Sequence, residues 1–443
     1  MPALPSVVGR SAGPRLGFGV ASRGYSEPVS DASPVQRTYL TLTVLNTLAA
    51  SFIWGVNTLF LLDAGLNNTE AFTANAAFTL GMVLFEIPTG VVADTRGRRF
   101  SFLLGTVTLL ASTLLYWWMW LVRAPFGGWV LASILIGLGF TFFSGATEAW
   151  LVDALADAGQ SGDLEKVFGR AQIAAGVAML VGSVLGGLVA QAGNLGLPYL
   201  IRSGVLVLSA VVAWVFMHDR GFVPDRSARP LKAVRTVLTG SIENGLKNRP
   251  VRWLMLAAPF TAGVGVYVFY ALQPYLLELA GDPKAYGIAG AAAALSAGAQ
   301  IVGGLLVGPI RRLFRRRTDA ILLGTLLGVG LLVGLGVAPN LWVALAVVAV
   351  WSMMWAVVTP LRQSFLNGVI PSAQRATVLS FDSLMGSAGG VVVQPALGRV
   401  ADASGYATSY LVTAAIQALA APFVWLARRE RAASDPIARA EEA

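Results

Sequence analysis

The stretch AFTANAAFTLGMVLFEIPTGVVADTRGRR, residues 71–99, makes two statements about the fold. From Ala71 to Ala93 the only ionisable side chain is Glu86, and about 20 such residues form a helix long enough to cross a ~30 Å hydrocarbon layer. The run then stops in Asp94, Thr95, Arg96, Gly97, Arg98 and Arg99, a short charged turn. Gly90 lets a neighbouring helix approach closely and Gly97 permits the turn. Asp94 can accept hydrogen bonds from arginines or from a helix N-terminus, whose dipole favours an anion.

Similar apolar runs recur from Thr38 to about Arg428. Of the 443 residues, 56% are hydrophobic and 12% charged, about half the usual charged share of a soluble protein. The chain is therefore a polytopic membrane protein, all-α, and the breaks between its apolar runs predict twelve transmembrane helices. The first six begin near residues 38, 70, 100, 128, 168 and 197, the second six near 251, 284, 318, 340, 375 and 406. With no cysteine there is no disulfide framework, thiolate nucleophile or cysteine metal site. The lone histidine, His218, falls at the end of span 6 and reads as a loop residue. A phosphate loop needs glycine before lysine, whereas Lys166, Lys232, Lys247 and Lys284 follow Glu, Leu, Leu and Pro. No metal, cofactor, nucleotide or enzymatic activity is expected.

Basic residues accumulate in short cytoplasmic loops. With both termini inside, 28 of the 32 lysines and arginines fall on the inner side, and only Arg123, Arg202, Lys284 and Arg399 on the outer. The net charge of +9 is thus a topology signal and no nucleic-acid footprint. The expected organisation is a cytoplasmic tail (1–37), a first bundle (38–218), a cytoplasmic linker (219–250), a second bundle (251–427) and a cytoplasmic tail (428–443). In the linker Leu231, Val234, Leu238, Ile242 and Leu246 recur at helical spacing, which predicts an amphipathic helix on the inner membrane surface. Residues 1–26 carry arginines and no acid, so a transit peptide remains an alternative to a tail.

Residues 90–99 resemble the cytoplasmic loop signature of the major facilitator superfamily, G-x-x-x-D-x-x-G-R-[KR], with every defining position filled. The resemblance extends over about residues 38–427 and implies two six-helix bundles related by pseudo-two-fold symmetry. It also implies a cytoplasmic gate of Gly90, Asp94, Gly97, Arg98 and Arg99 working with Arg362 and Arg375, in which Asp94 latches onto the N-terminus of span 11. The repeat predicts a second copy of the loop between spans 8 and 9. Gly304 to Arg312 keeps the basic cluster there but has lost the aspartate. Glu86-Ile87-Pro88-Thr89-Gly90, Ser144-Gly145-Ala146-Thr147-Glu148-Ala149 and Arg375 to Asp382 are similar to the drug:proton antiporter branch. Two features depart from that branch: residues 129–147 contain no arginine, and span 5 has glycines without a Gly-Pro pair.

An ionisable side chain in mid-membrane costs at least ~2.5 kcal/mol, so Glu86, Glu148 and Asp382 each need a reason. All three lie toward the cytoplasmic half, on polar stripes at helical spacing: Asn75, Thr79, Glu86, Gly90 and Asp94; Thr141, Ser144 and Glu148; Arg375, Asp382, Gly386 and Gly389. They either pair with arginines in a gate network or carry the coupled proton, with Glu86 the first choice for the proton. By resemblance, spans 1, 4, 7 and 10 line a central cavity. Their stripes give Asn46, Trp54 and Asn57; Phe143 and Ser144; Tyr267, Tyr270 and Gln273; Trp351, Met354 and Trp355. Aromatic walls with sparse amides and hydroxyls suit an amphipathic, partly aromatic substrate. No basic residue lies in the middle of those four spans, which suits a highly charged metabolite poorly.

The function expected is secondary active transport by alternating access in a plasma membrane, by a monomer whose partners are lipid, protons and a small-molecule substrate. Proton-coupled efflux of hydrophobic or amphipathic compounds is favoured. Uptake of a neutral metabolite uses the same machinery. A non-transporting receptor or assembly subunit on this scaffold is the alternative from another class.

Overall fold

The computed structural model describes residues 32–158, 164–224, 234–235, 239, 242–371 and 374–437. Span 1 is a bent pair, α1 (Ala32–Trp54) and α2 (Asn57–Asp63), and is followed by α3 (Asn68–Arg96) and α4 (Arg98–Val122). Span 4 is also broken, into α5 (Phe126–Thr141) and α6 (Ala146–Asp157), and α7 (Leu164–Ala192) and α8 (Leu197–Phe216) complete the first half. The second half holds α9 (Arg249–Ala280), α10 (Tyr286–Arg312), α11 (Arg317–Gly336), α12 (Leu341–Val369), α13 (Arg375–Ala418) and α14 (Ala420–Arg429).

Ten helical segments are long and apolar enough to cross a membrane, and the bent α1–α2 pair is an eleventh. The longest of the ten contains Gly405 at φ 79°, ψ 167°. Ser409 Oγ donates to Leu397 O at 3.0 Å across that glycine, whereas twelve residues of straight helix would hold them ~18 Å apart. The chain reverses at Gly405, and the count reaches the expected twelve. Helix α1 begins earlier than residue 38, at Ala32. The other span starts agree with the sequence reading to within a few residues, because charged turns and caps mark them. Asn67, for example, caps α3 in a reciprocal box with Glu70.

The packing repeats between halves. In the first, α1 lies against α7 and α8, α5 against α3 and α4, and α4 against α8. In the second, α9 lies against α13, and α12 against α10 and α11, with α11 against α13. Each pairing has its counterpart six spans later, which is the signature of a pseudo-two-fold pair of bundles. The halves meet where α3 packs on α13 and α7 on α10. Each half also has an aromatic core: Phe60, Tyr116, Trp129 and Tyr199 in the first, Tyr267, Tyr275 and Tyr410 in the second. These cores lie toward the end opposite the loops that carry Arg96–Arg99, Arg311–Arg317 and Arg428–Arg431. The two ends are called here the basic end and the opposite end.

Of the expected linker helix, Leu231 and Leu238 lie outside the described residues. Ile242–Leu246 form a single π-helical turn that leads into α9, and Leu246 packs on the second-half core. Residues 1–31 and 438–443 are also outside the described set. Past α14 the chain folds back on the start of α11. Thr318 N donates to Asp435 Oδ1 at 2.9 Å, and Arg317 Nη1 reaches Pro436 O at 2.7 Å.

Candidate functional site

At the opposite end the two halves are joined at backbone level. Span 1 bends by 46° between Trp54 and Asn57, and the side-chain amide of Gln273 from α9 sits in the gap. Its Nε2 donates to Trp54 O at 2.7 Å and its Oε1 accepts from Thr58 N at 2.9 Å. Those two backbone groups would bond each other in an unbroken helix, so Gln273 is inserted into the ladder and satisfies both ends of the break. Beside it Gly55, Gly187 and Gly290 bring three helices into contact. A Cβ on Gly290 would come within 2.5 Å of Ser183 O, and one on Gly187 within 2.8 Å of Tyr286 O. Asp402, near the end of span 11, accepts from Asn68 N at 2.9 Å, Thr69 N at 2.8 Å and Thr69 Oγ1 at 2.5 Å. It therefore caps the N-terminus of α3 from the other half, and Tyr406 adds a bond to Asn68.

The basic end is open. Between α3 and α13, the hydrogen bonds among described residues all fall at the Asn68–Thr69 end. A Cβ on Gly90 would meet nothing within 4 Å, and Glu86, Ser144 and Glu148 are exposed. Asn75, on the same α3 stripe as Glu86, is buried in the protein centre. Three turns separate them, so Glu86 faces the cavity between the halves and not lipid. Ser144 Oγ donates to Glu86 Oε1 at 2.5 Å. Ser144 is placed there by the break in span 4, where Gly145 takes φ 68°. Thr89 Oγ1 and Ser101 Oγ satisfy the carbonyls the break releases, at Thr141 and Phe142.

The loop arginines are engaged within their own half. Arg98 pairs with Asp94 and lies 3.7 Å from Asp153 Oδ2, with its guanidinium over Phe222. Gly97 takes φ 111°, a conformation open to glycine. Asp219 lies against it and accepts from Arg99 N at 2.8 Å, capping α4. Partial burial there raises the Asp219 carboxyl above its usual range, with the Arg99 backbone N–H pulling the other way. In the second half Arg362 grips Asp382 with both terminal nitrogens, at 2.6 and 2.5 Å, and also donates to Leu254 O. Arg375 opens α13 and is half-buried.

Two recesses line the opening. One, of about 600 Å³ in the second half, is walled by Thr261, Met354, Trp355, Thr359, Arg362 and Asp382 among others. The other, of about 290 Å³ in the first half, includes Tyr39, Asn46, Phe143, Glu148 and Gln172. Trp54, Asn57 and Tyr270 meet in a small central cavity between them. Trp351 stacks on Trp355 at 5.7 Å. Tyr267 and Gln273 take other positions than the cavity wall. Tyr267 is fully buried, with its hydroxyl 2.5 Å from Ser409 Oγ, because on a helix that is apolar all round helical spacing does not single out one face.

Sequence reasoning missed Arg202 as a site residue. The charge count places it on the outer side, near the start of span 6, and the structure holds it 1% exposed in the interior of the first half, lining the central cavity with Asn57 and Asn75. The available signal was position: five residues after Leu197, it lies ~7.5 Å inside α8. Asp153, Asp219 and Asp402 were missed as well, since their partners are distant in sequence.

The sequence model of the Major Facilitator Superfamily matches residues 39–313 and 260–443. An MFS-type transporter of Methanocaldococcus jannaschii is 23% identical over 232 residues, 52% of this chain and 57% of that protein. The chain thus spans little more than half the length of that relative. Among solved structures, the nucleoside transporter NupG superposes with a TM-score of 0.74 at 10% identity, covering 88% of this chain and 98% of that one. A bacterial homologue of the human lysosomal transporter Spinster, solved inward-facing and unoccupied, gives 0.69 at 16% identity, with 92% and 99% covered. A D-xylose–proton symporter gives 0.64 at 17% identity, with 89% and 96% covered. At these identities the likeness is one of fold. Loop signature, repeated packing and sequence pattern agree, and the chain belongs to the Major Facilitator Superfamily, a family of membrane transporters.

Proposed function

We propose that the chain is a proton-coupled secondary transporter that exports hydrophobic or amphipathic small molecules by alternating access, resembling the drug:proton antiporter branch. Its basic end and both termini face the cytoplasm across a plasma membrane, in keeping with the placement of lysine and arginine. The observation that carries this reading is Glu86: a cavity carboxylate bonded to Ser144, with no basic partner among the described residues, in a space open at one end only. In the state open at the opposite end Glu86 takes up a proton from the outer solution, and it gives that proton to the cytoplasm when the basic end reopens, so each cycle carries one proton inward against the exported substrate. Asp382 differs, because Arg362 neutralises it in place, and it serves to hold α12 against α13. Asp94, Gly97, Arg98, Arg99 and Arg375 form the gate that closes the basic end. The walls of Trp355, Met354 and Phe143 accept an apolar body by contact.

Proteoliposomes test the coupling. Glu86→Gln is expected to abolish transport driven by an imposed pH gradient while leaving counterflow exchange intact; unchanged gradient-driven transport removes Glu86 from the mechanism. Direction is read in cells. Protonophore-sensitive protection against lipophilic compounds supports efflux, whereas a growth defect on one nutrient with unaltered drug sensitivity supports uptake.

A further inference from the structure

Arg202 is a buried cation whose bonding is unfinished. Its Nε donates to Thr113 Oγ1 at 3.0 Å, and the guanidinium carbon lies 5.6 Å from the centroid of the Phe140 ring. A guanidinium has five N–H donors, and Nη1 and Nη2, which carry four of them, are buried without a hydrogen-bond partner among the described residues. No carboxylate pairs with it there; the titratable side chains around it are the phenols of Tyr116, Tyr199 and Tyr270. An uncompensated buried charge is strongly destabilising, so the site as built is short of an anion.

The neighbours are short of acceptors in the same place. Asn57 Oδ1 is taken by the Tyr199 hydroxyl at 2.8 Å, and Asn75 Oδ1 by Asn57 Nδ2 at 2.8 Å. Asn75 Nδ2 is itself buried with no partner among the described residues. Asn57, Asn75, Phe140, Arg202 and Tyr270 line one cavity of about 30 Å³, room for about one water-sized group. Trp54, Asn57, Phe140 and Tyr270 are partly exposed, so side chains, not backbone, separate the cavity from the opening. Tyr270 comes from the second half, so an occupant would touch both bundles.

We propose that this cluster binds a monovalent anionic group, and that the substrate carries it as a carboxylate on an amphipathic, partly aromatic body. The carboxylate oxygens take the free donors of Arg202 and Asn75. The aromatic body extends past Phe140 and Trp54 into the opening. The substrate part rests on the transport reading above; the anion site does not.

The test is thermal unfolding of the purified full chain in sodium sulfate of fixed ionic strength, titrated with sodium benzoate, sodium chloride or neutral benzamide. Saturable stabilisation by benzoate, absent with benzamide, is expected. Arg202→Gln should weaken it by at least about tenfold and Asn75→Ala by roughly threefold, as lost charged and neutral hydrogen bonds imply. If Arg202→Gln does not fold, the benzoate–benzamide contrast in the parent and the Asn75→Ala shift decide. Saturation by chloride but not benzoate overturns the carboxylate substrate and leaves a resident counter-ion. No saturable response to either anion overturns the site. Benzoate binding that persists in a protein inactive in every transport assay counts against the transport reading and leaves the site standing.

Discussion

The opposite end and the basic end treat the seam between the same two halves differently: the first is joined across it and the second is open. At the opposite end the contacts are short and backbone-centred: glycine against carbonyl, an amide inside a helix break, a carboxylate on a helix N-terminus. At the basic end the charges sit on longer side chains, and Arg98, Arg99, Arg362, Asp94, Asp219 and Asp382 all bind within their own half. One pair of residues makes the contrast sharp. Asp402 lies toward the C-terminus of span 11 and caps α3; Asp94 lies at the C-terminus of α3 but pairs with Arg98 of the following helix. Because α3 and span 11 run antiparallel, each aspartate is placed to cap the other's helix. The Asp402 cap is engaged, while Asp94 is bonded within its own half. Glycine contacts, an inserted amide and a helix cap hold the opposite end together; under the function proposed above, closing the basic end requires its charges to change partners.

The largest break in that comparison should come from Gly290→Leu. Its Cβ would lie 2.5 Å from the Ser183 carbonyl, and backbone cannot swing aside as a side chain does. A cost near ~3 kcal/mol, about a hundredfold in population, is expected for the closed opposite end. The chain has no cysteine, so Leu195→Cys, in the crevice at that end, reports opening through its rate of labelling by an impermeant maleimide. Unaltered labelling in Gly290→Leu would mean that the seam is looser than the glycine contacts imply.

Gln273→Leu keeps the volume but leaves Trp54 O and Thr58 N without their amide. Two buried backbone groups without partners cost ~2 kcal/mol or more, and the expected result is some thirtyfold faster labelling at Leu195→Cys. If span 1 straightens and pairs those groups itself, the effect will be several-fold smaller, and the break will then be a consequence of closure instead of a fixed feature.

These residues also mark where the sequence stopped being informative. The twelve spans, the loop signature and the separate polar stripes that hold Glu86 and Ser144 were legible, because span length, charged turns and stripes on one helix are local properties; the bond that joins the two residues was not. The breaks in spans 1 and 4 were not. Gly55 and Gly145 are single glycines in apolar runs that hold many others, and what opens span 1 is Gln273, 219 residues from Trp54. Arg202 was hidden by its position near a span end, where the prior for an arginine is a wet loop. Tyr267 and Tyr270 had equal claims to the cavity wall by periodicity, and only the packing of Phe72, Ser409 and Tyr410 around Tyr267 separates them.

Asp402→Ala should act more gently than either seam substitution, since the carboxylate is exposed and screened. Loss of a charged cap is worth ~1 kcal/mol, about fivefold in labelling at Leu195→Cys. The effect should shrink in high salt, as an interaction with a helix terminus does.

The smallest effect on that reporter belongs to Asp94→Asn, and its smallness carries the comparison. Asp94 is 48% exposed and its partner is Arg98, four residues along the chain; such pairs contribute ~0.5 kcal/mol or less. Labelling at Leu195→Cys should change less than about twofold. A second reporter, Thr359→Cys in the recess at the basic end, should behave differently. If Asp94 is the reciprocal cap, its loss destabilises only the state in which the basic end is shut, so Thr359→Cys should stay reactive under ligand conditions that protect it in the parent. Equal protection in both proteins would confine Asp94 to its pairing with Arg98. The symmetry between the two aspartates would then be one of position without a shared role.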